Sequence, residues 1–209
     1  MAQLPAGHPE KPQGEHGIAL LERMNGGSHE ELALWGLDLT DIPASCRALD
    51  IGCGGGANLQ RILERAPQGH ATGIDYSPLS VQKSTALNDK AIAAGRCAVL
   101  EGNASELPFP NESFDLITAF ETVYYWDLPT AFAEAKRVLA PDGVFLICNE
   151  DNGLDPERLA LAALIPGMTM YTMNTLEDAL TDAGFEIVSK AQVHEKGFIA
   201  LLAKHSKSE

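Results

Sequence analysis

The apolar positions of this chain change their period along its length, and those changes mark out its elements. From residue 46 onward, short continuous apolar runs alternate with stretches of helical spacing. The runs at 48–51, 71–74, 97–100, 114–120 and 144–148 predict strands, and helical spacing at 59–65, 78–94 and 130–139 predicts the helices between them. Residues 102–112, which hold the sequence LPFPN, read as a turn where a further helix would otherwise fall. Continuous apolar runs are the mark of strands buried on both faces, so this rhythm implies a parallel sheet covered by helices on both sides. Right-handed crossovers then put the carboxyl ends of the strands along one edge, where ligands bind.

The final third breaks the rhythm. Residues 156–164 and 176–183 predict helices, the second closed by Gly184, with an irregular methionine-rich link between them. Runs at 185–193 and 197–202 are joined by a few residues around Glu195, which permits an antiparallel hairpin and leaves no room for a helical crossover. The expected fold is α/β: a Rossmann-like, doubly wound, seven-stranded and mostly parallel sheet with an antiparallel C-terminal strand. Ahead of it, Pro5, Gly7, Pro9, Pro12 and Gly14 break any helix, so residues 1–16 read as a mobile tail. Residues 17–45 predict a helical lid segment, and residues 46–209 the single remaining domain. In the lid, Ser28 and Glu31 stand at capping-box spacing, and Leu32, Trp35 and Leu39 form an apolar stripe.

Composition narrows the class. Apolar residues make up 45% of the chain, as in globular proteins, and no run approaches the roughly 18 apolar residues of a membrane span. The opening segment is polar and broken by Pro and Gly, unlike a secretory signal, so a cytoplasmic protein without membrane association is expected. A formal net charge of −14 with no basic cluster argues against nucleic acid as partner. Cys46, Cys53, Cys97 and Cys148 are widely separated with no CxxC pair, so neither a disulfide framework nor a metal site is expected. No pattern marks an oligomer interface.

The strongest local signal is LDIGCGGG at residues 49–56. A short strand ends at Asp50, and Gly52, Gly54 and Gly56 follow at alternate positions before a helix. Glycines permit a tight turn and let a ligand approach the main chain, and the helix offers free amides and a positive dipole end. Gly52, Gly54 and Ala57 also fit the dinucleotide fingerprint, with Asp75 about 20 residues further on, so a nicotinamide-dependent oxidoreductase is one alternative. Asp50 counts against it. A carboxylate beside the loop repels a pyrophosphate but attracts the amino group of a methionine tail, directly or through water. No Tyr-x-x-x-Lys constellation is present either.

The acid followed by spaced glycines resembles the first motif of class I S-adenosylmethionine-dependent methyltransferases of the small-molecule type. The resemblance continues in register over residues 46–203: GIDYS at 73–77, EGNASELPFP at 101–110, FDLITAFETVYYW at 114–126 and AFAEAKRVLAPDGVFLI at 131–147, with a turn at Pro141-Asp142-Gly143. It implies S-adenosylmethionine as cofactor and S-adenosylhomocysteine as product, bound by Asp50, Gly52, Cys53, Gly54, Gly56, Asp75, Tyr76, Asn103, Ala104 and Phe120. By that resemblance Asp75 takes the ribose hydroxyls and Tyr76 lies against adenine. Asn103 stands where the family has Asp and accepts from the adenine amino group, and the Phe120 carbonyl faces the methionine amino group.

Methyl transfer needs alignment and exclusion of water more than activation. Aromatic walls suit a sulfonium, which makes Tyr124, Tyr125 and Trp126 candidate substrate contacts, with Trp35 a further one from the lid. His29 is the candidate general base by its natural pKa, and Glu121 the second. Asn149, Glu150 and Asp151 form a polar cluster at the same sheet edge. Met168, Met170, Tyr171 and Met173 form an apolar patch suited to an acceptor pocket. The expected function is methyl transfer to a small molecule through oxygen, nitrogen or carbon. A non-catalytic module that binds the same cofactor is the other reading of intact motifs.

Overall fold

A computed structural model describes residues 11–206. Seven strands form one sheet: β1 (Arg47–Ile51), β2 (His70–Asp75), β3 (Cys97–Glu101), β4 (Phe114–Phe120), β5 (Leu139–Asn149), β6 (Phe185–Val193) and β7 (Phe198–His205). Their order is β3-β2-β1-β4-β5-β7-β6, with β7 alone running against the rest. The order reverses beside β1, whose neighbours are β2 and β4, so a crevice opens at the carboxyl ends of β1 and β4. This is the expected fold.

Among the described residues, eight α-helices cover the sheet: α1 (Gly14–Met24), α2 (Gly27–Leu37), α3 (Ala57–Arg65), α4 (Pro78–Leu87), α5 (Asp89–Ala93), α6 (Leu128–Val138), α7 (Pro156–Ala162) and α8 (Met173–Asp182). Alternate strand residues feed two cores. Ile117, Phe145 and Ile147 pack with Phe132 of α6 and Leu176 and Leu180 of α8 on one face. Leu116, Leu146 and Cys148 meet Leu32 and Leu37 of α2 and Leu59 and Ile62 of α3 on the other. The first core is threaded by Phe132, Phe145 and Phe185, whose ring centroids are 5.8 and 5.7 Å apart in sequence. No helix among the described residues is long and apolar enough to cross a membrane.

Several local expectations change. Residues 1–10 of the expected tail lie outside the described residues, but α1 already begins at Gly14 because Gly17 sits tightly against Pro12 and Leu79 of α4. Ser28 is not the cap of α2. The helix starts at Gly27 behind Gly26, with no side-chain cap, so Ser28 lies within the first turn. The helix expected over 78–94 divides at Asn88, whose amide donates to the carbonyls of Gly56 and Ser84 and ends the α4 ladder. The segment Pro141–Gly143, expected as a turn, is extended within β5. There the register jumps, with Phe114 opposite Leu139 and Leu116 opposite Val144, so the surplus residues bulge from the ladder. Thr172 caps α8 by accepting from the Thr175 N–H at 3.2 Å, which starts that helix ahead of residue 176.

Candidate active site

The loop after β1 is built for close approach to its backbone. Gly52, Gly54 and Gly56 all have positive φ, at 77°, 51° and 86°. A Cβ on Gly52 would stand 2.1 Å from Thr122 Oγ1, so only glycine fits between this loop and the one after β4. Gly56 serves differently: its missing Cβ makes room for Ser84 and Asn88, which seats α4 behind the loop.

Asp75, at the end of β2, ties the loop down. One carboxylate oxygen accepts from Gly54 N–H and the other from Ser77 N–H, each at 2.9 Å. Burial raises its pKa, opposed by those two backbone donors and by the Ser80 hydroxyl. Asp50 is only 2% exposed and lies beneath the loop, opposite Thr118 in the β1–β4 register. The Thr118 hydroxyl donates to it at 2.7 Å. Burial lifts its pKa to about 7, the Thr118 hydrogen bond and Arg61 opposing and Asp75 adding to the rise.

A cleft of about 510 Å³ runs from this loop along the sheet edge, within the range of small-molecule sites. It is lined by Gly52, Gly54, Asp75, Tyr76, Asn103, Phe120, Tyr124, Tyr125 and Trp126, and by His29 and Glu121, which also border a small recess shared with Gly52, Gly54 and Gly55. Leu20, Leu21, Arg23 and Met24 of α1 line it too, as does the stretch from Ile165 to Met168. The volume and the side-chain-free glycine floor fit an extended small molecule, and Asp75 lines the same floor.

Not every expected residue reaches the cleft. Asp50 is buried beneath the loop and does not line the cleft. Ala104 is 8% exposed and belongs to the first core. Trp35 packs on the second core with its ring 6.0 Å from that of Phe198, which removes it from the substrate set. Cys53 lines a small side recess next to the loop, beside Asn25 and Arg61. Asn103 lines the cleft, and its Oδ1 already accepts from Ser105 N–H at 3.0 Å, which fixes the direction of the side chain. Of the methionine-rich patch, Met168 lines the cleft while Tyr171 and Met173 pack on the first core.

The catalytic candidates do come together. Glu121 takes a positive φ of 58°, uncommon for a side chain of its size, which turns its carboxylate inward. Its Oε1 accepts from the Tyr124 hydroxyl at 2.9 Å and from the Glu150 N–H. Burial lifts the Glu121 pKa to about 8, and Glu150 and Asp151 add to the rise. His29 Nδ1 is 3.8 Å from Glu150 Oε1. Burial lowers the His29 pKa and so favours neutral imidazole, with Glu150 opposing and Arg23 assisting. Sequence reasoning missed Thr118, Thr122, Leu20, Leu21 and Arg23. The apolar pair Leu20–Leu21 within a helical pattern was the one local signal of a cleft-facing helix.

Residues 49–147 match the family model described as a methyltransferase domain. The chain is 29% identical to the erythromycin 3''-O-methyltransferase of Saccharopolyspora erythraea, over 86% of this chain and 62% of that protein. It is 27% identical to the sterol 24-C-methyltransferase ERG6B of Gibberella zeae, over 70% of this chain and 41% of the relative. The chain thus spans less than half the length of the sterol methyltransferases it matches. Among solved structures, the putative methyltransferase seen with the Haloferax volcanii Trm112 activator superposes with a TM-score of 0.79 at 19% identity, covering 90% of this chain and 95% of that one. A geranyl diphosphate methyltransferase in complex with S-adenosylmethionine superposes at 0.74 and 15% identity, covering 95% and 94%.

Proposed function

We propose that the chain is a class I S-adenosylmethionine-dependent methyltransferase acting on a small-molecule acceptor, a reading supported by the methyltransferase model matched over residues 49–147 and by the methyltransferase relatives. The observation that carries this reading is one continuous cleft. It brings the glycine loop and Asp75 together with His29, Glu121 and Tyr124. A cofactor seated over the loop then points its reactive end toward groups able to orient an acceptor and receive its proton.

Bound S-adenosylmethionine supplies a methyl on a sulfonium, taken by in-line attack of an acceptor lone pair as the carbon–sulfur electrons return to sulfur. The chain's own residues do the rest. Gly52 and Gly54 leave the backbone open to the amino-acid tail, and the buried Asp50 favours its ammonium from beneath. Asp75 takes the ribose hydroxyls on lone pairs its backbone donors leave free, and Tyr76 and Asn103 flank the base. Tyr124, Tyr125 and Trp126 form a wall that favours a cation and offers little competing water. His29, kept neutral by burial, receives the proton released when the acceptor is an alcohol, phenol or amine; Glu121 does so only above the pH of about 8 to which burial lifts its pKa. Helices α1 and α2 border the cleft, which supports a lid role for them. The net charge of −14 supports a small acceptor over nucleic acid.

Calorimetric titration of the full chain with S-adenosylmethionine and S-adenosylhomocysteine, run beside NADH, tests the cofactor. Saturable micromolar binding of the first two, lost in Asp75→Ala, is expected. Binding of the nicotinamide alone would end this reading. Transfer of labelled methyl to a panel of phenols, sugars, amines and isoprenoids then identifies the acceptor.

A further inference from the structure

Three side chains from three separate elements converge beside the glycine loop: His29 from the first turn of α2, Glu121 just after β4, and Glu150 just after β5. One ligand-type atom of each lies within 4.8 Å of the other two. The group is largely withdrawn from solvent, with 27% of the His29 side chain and 18% of the Glu150 side chain exposed. Glu150 Oε1 itself is shielded from solvent and accepts no hydrogen bond. A buried carboxylate oxygen left in that state is costly unless a cation answers it. Among the described residues, no Lys or Arg forms an ion pair with Glu121 or Glu150; the Glu150 carboxylate stands beside the His29 imidazole and the Glu121 carboxylate.

We propose that His29, Glu121 and Glu150 hold a divalent first-row transition-metal ion of the Mn²⁺ or Zn²⁺ kind at the wall of the cleft. One imidazole nitrogen with two carboxylates suits that class, whereas Mg²⁺ and Ca²⁺ favour all-oxygen sets. The supports are already rigid. Glu121 Oε1 is pinned by Tyr124 and by the Glu150 backbone, which leaves the second oxygen of Glu121 for the ion. Metal–ligand bonds of about 2.0–2.2 Å require the three donors to draw together slightly, within reach of side-chain rotation. His29 and Glu121 line the cleft, so an ion held there would be open to a molecule bound in it. Three protein ligands with an open position is the arrangement of a catalytic ion, not of a structural one. The ion thereby selects acceptors with an oxygen donor beside the methylated atom, and it favours loss of their proton. That last point rests on the methyl-transfer reading; the ion site does not. It also revises the expectation, from the dispersed cysteines, that no metal binds.

The test uses the full chain after treatment with chelator. It is titrated with MnCl₂ and with ZnCl₂ by calorimetry, while Mn²⁺ broadening of assigned imidazole resonances is followed by NMR. One ion per chain with a micromolar or tighter Kd is expected, together with selective broadening of His29. In Glu150→Gln and in His29→Ala the affinity falls at least tenfold, while S-adenosylhomocysteine still binds and so reports an intact fold. Absence of saturable binding in the wild type overturns the proposal and leaves the three residues as a proton-transfer cluster. Unchanged affinity in both variants, or broadening confined to other histidines, overturns it equally. Failure of the cofactor reading looks different: the ion binds at His29 but S-adenosylhomocysteine does not.

Discussion

The carboxylate of Asp75 accepts a hydrogen bond from the backbone N–H of Gly54 at 2.9 Å, so the end of β2 holds the glycine loop that follows β1. The other oxygen of the same carboxylate takes Ser77 N–H, at the entry to α4. One side chain therefore fixes both the cofactor loop and the start of a helix, before any ligand arrives.

Asp75→Asn keeps the shape but turns an NH₂ toward one of those two N–H donors. One buried donor is then unpaired, at a cost of about 1–3 kcal/mol. S-adenosylmethionine affinity is expected to fall by at least roughly tenfold, the equivalent of about 1.4 kcal/mol. Calorimetry measures it, and far-UV circular dichroism checks that the fold survives.

Gly52→Ala fails for two separable reasons, the positive φ of 77° and the 2.1 Å approach to Thr122 Oγ1. The variant is expected to lose cofactor binding and to melt earlier. Adding Thr122→Ala relieves the clash but not the backbone strain, so Tm recovers in part. Full recovery would mean that the conformation of Gly52 costs nothing.

Asp50 makes stability depend on pH. Its native pKa of about 7 stands above that of an unfolded carboxylate, so the folded state holds more protons between the ordinary carboxylate range and about pH 7. Stability from this group is therefore greatest at the acid end of that window and is lost as pH rises through about 7. The groups acting on it are Asp75 and Arg61, with Thr118 as its hydrogen-bond donor, and Glu121 adds a slope of the same sign. Asp50→Asn, which can still accept from Thr118, is expected to flatten the fall in Tm between pH 5 and pH 8 for the ligand-free protein. An unchanged slope would show that Asp50 is not buried as a proton carrier.

Gly36 brings α2 onto β5. A Cβ there would meet Cys148 Sγ at 2.4 Å and the Phe120 ring at 3.0 Å. Gly36→Val is expected to destabilise the protein by about 1–3 kcal/mol through overpacking. It also shifts Phe120, which lines the cleft, so cofactor affinity and Tm fall together, as parallel thermal melts and titrations would show.

Much of this was legible in the chain alone. The alternation of apolar runs and helical periods marked the strands, the central ones because a strand buried on both faces has no polar position to spare, while the edge strands β3 and β6 keep exposed positions. The short link between residues 193 and 198 ruled out a crossover there, and β7 is antiparallel as a result. The glycine motif and Asp75 declared themselves because backbone conformation and close approach restrict residue type locally. Boundaries were less legible. Ser28 has the spacing of a cap, yet the helix begins one residue earlier, and Asn88 ends α4 through a bond to Gly56 that lies 32 positions away.

What the sequence by itself determined is therefore the order and type of the elements and the loop that approaches a ligand, since these follow from periodicity and from steric rules acting over a few residues. What only the tertiary structure decided is which side chains meet. Asp50 was withdrawn beneath the loop and Trp35 onto the second core, while His29, Glu121 and Glu150 were assembled from positions up to 121 residues apart. Burial, and the charge it leaves unanswered, is a property of the packed whole, and no local pattern of residues encodes it.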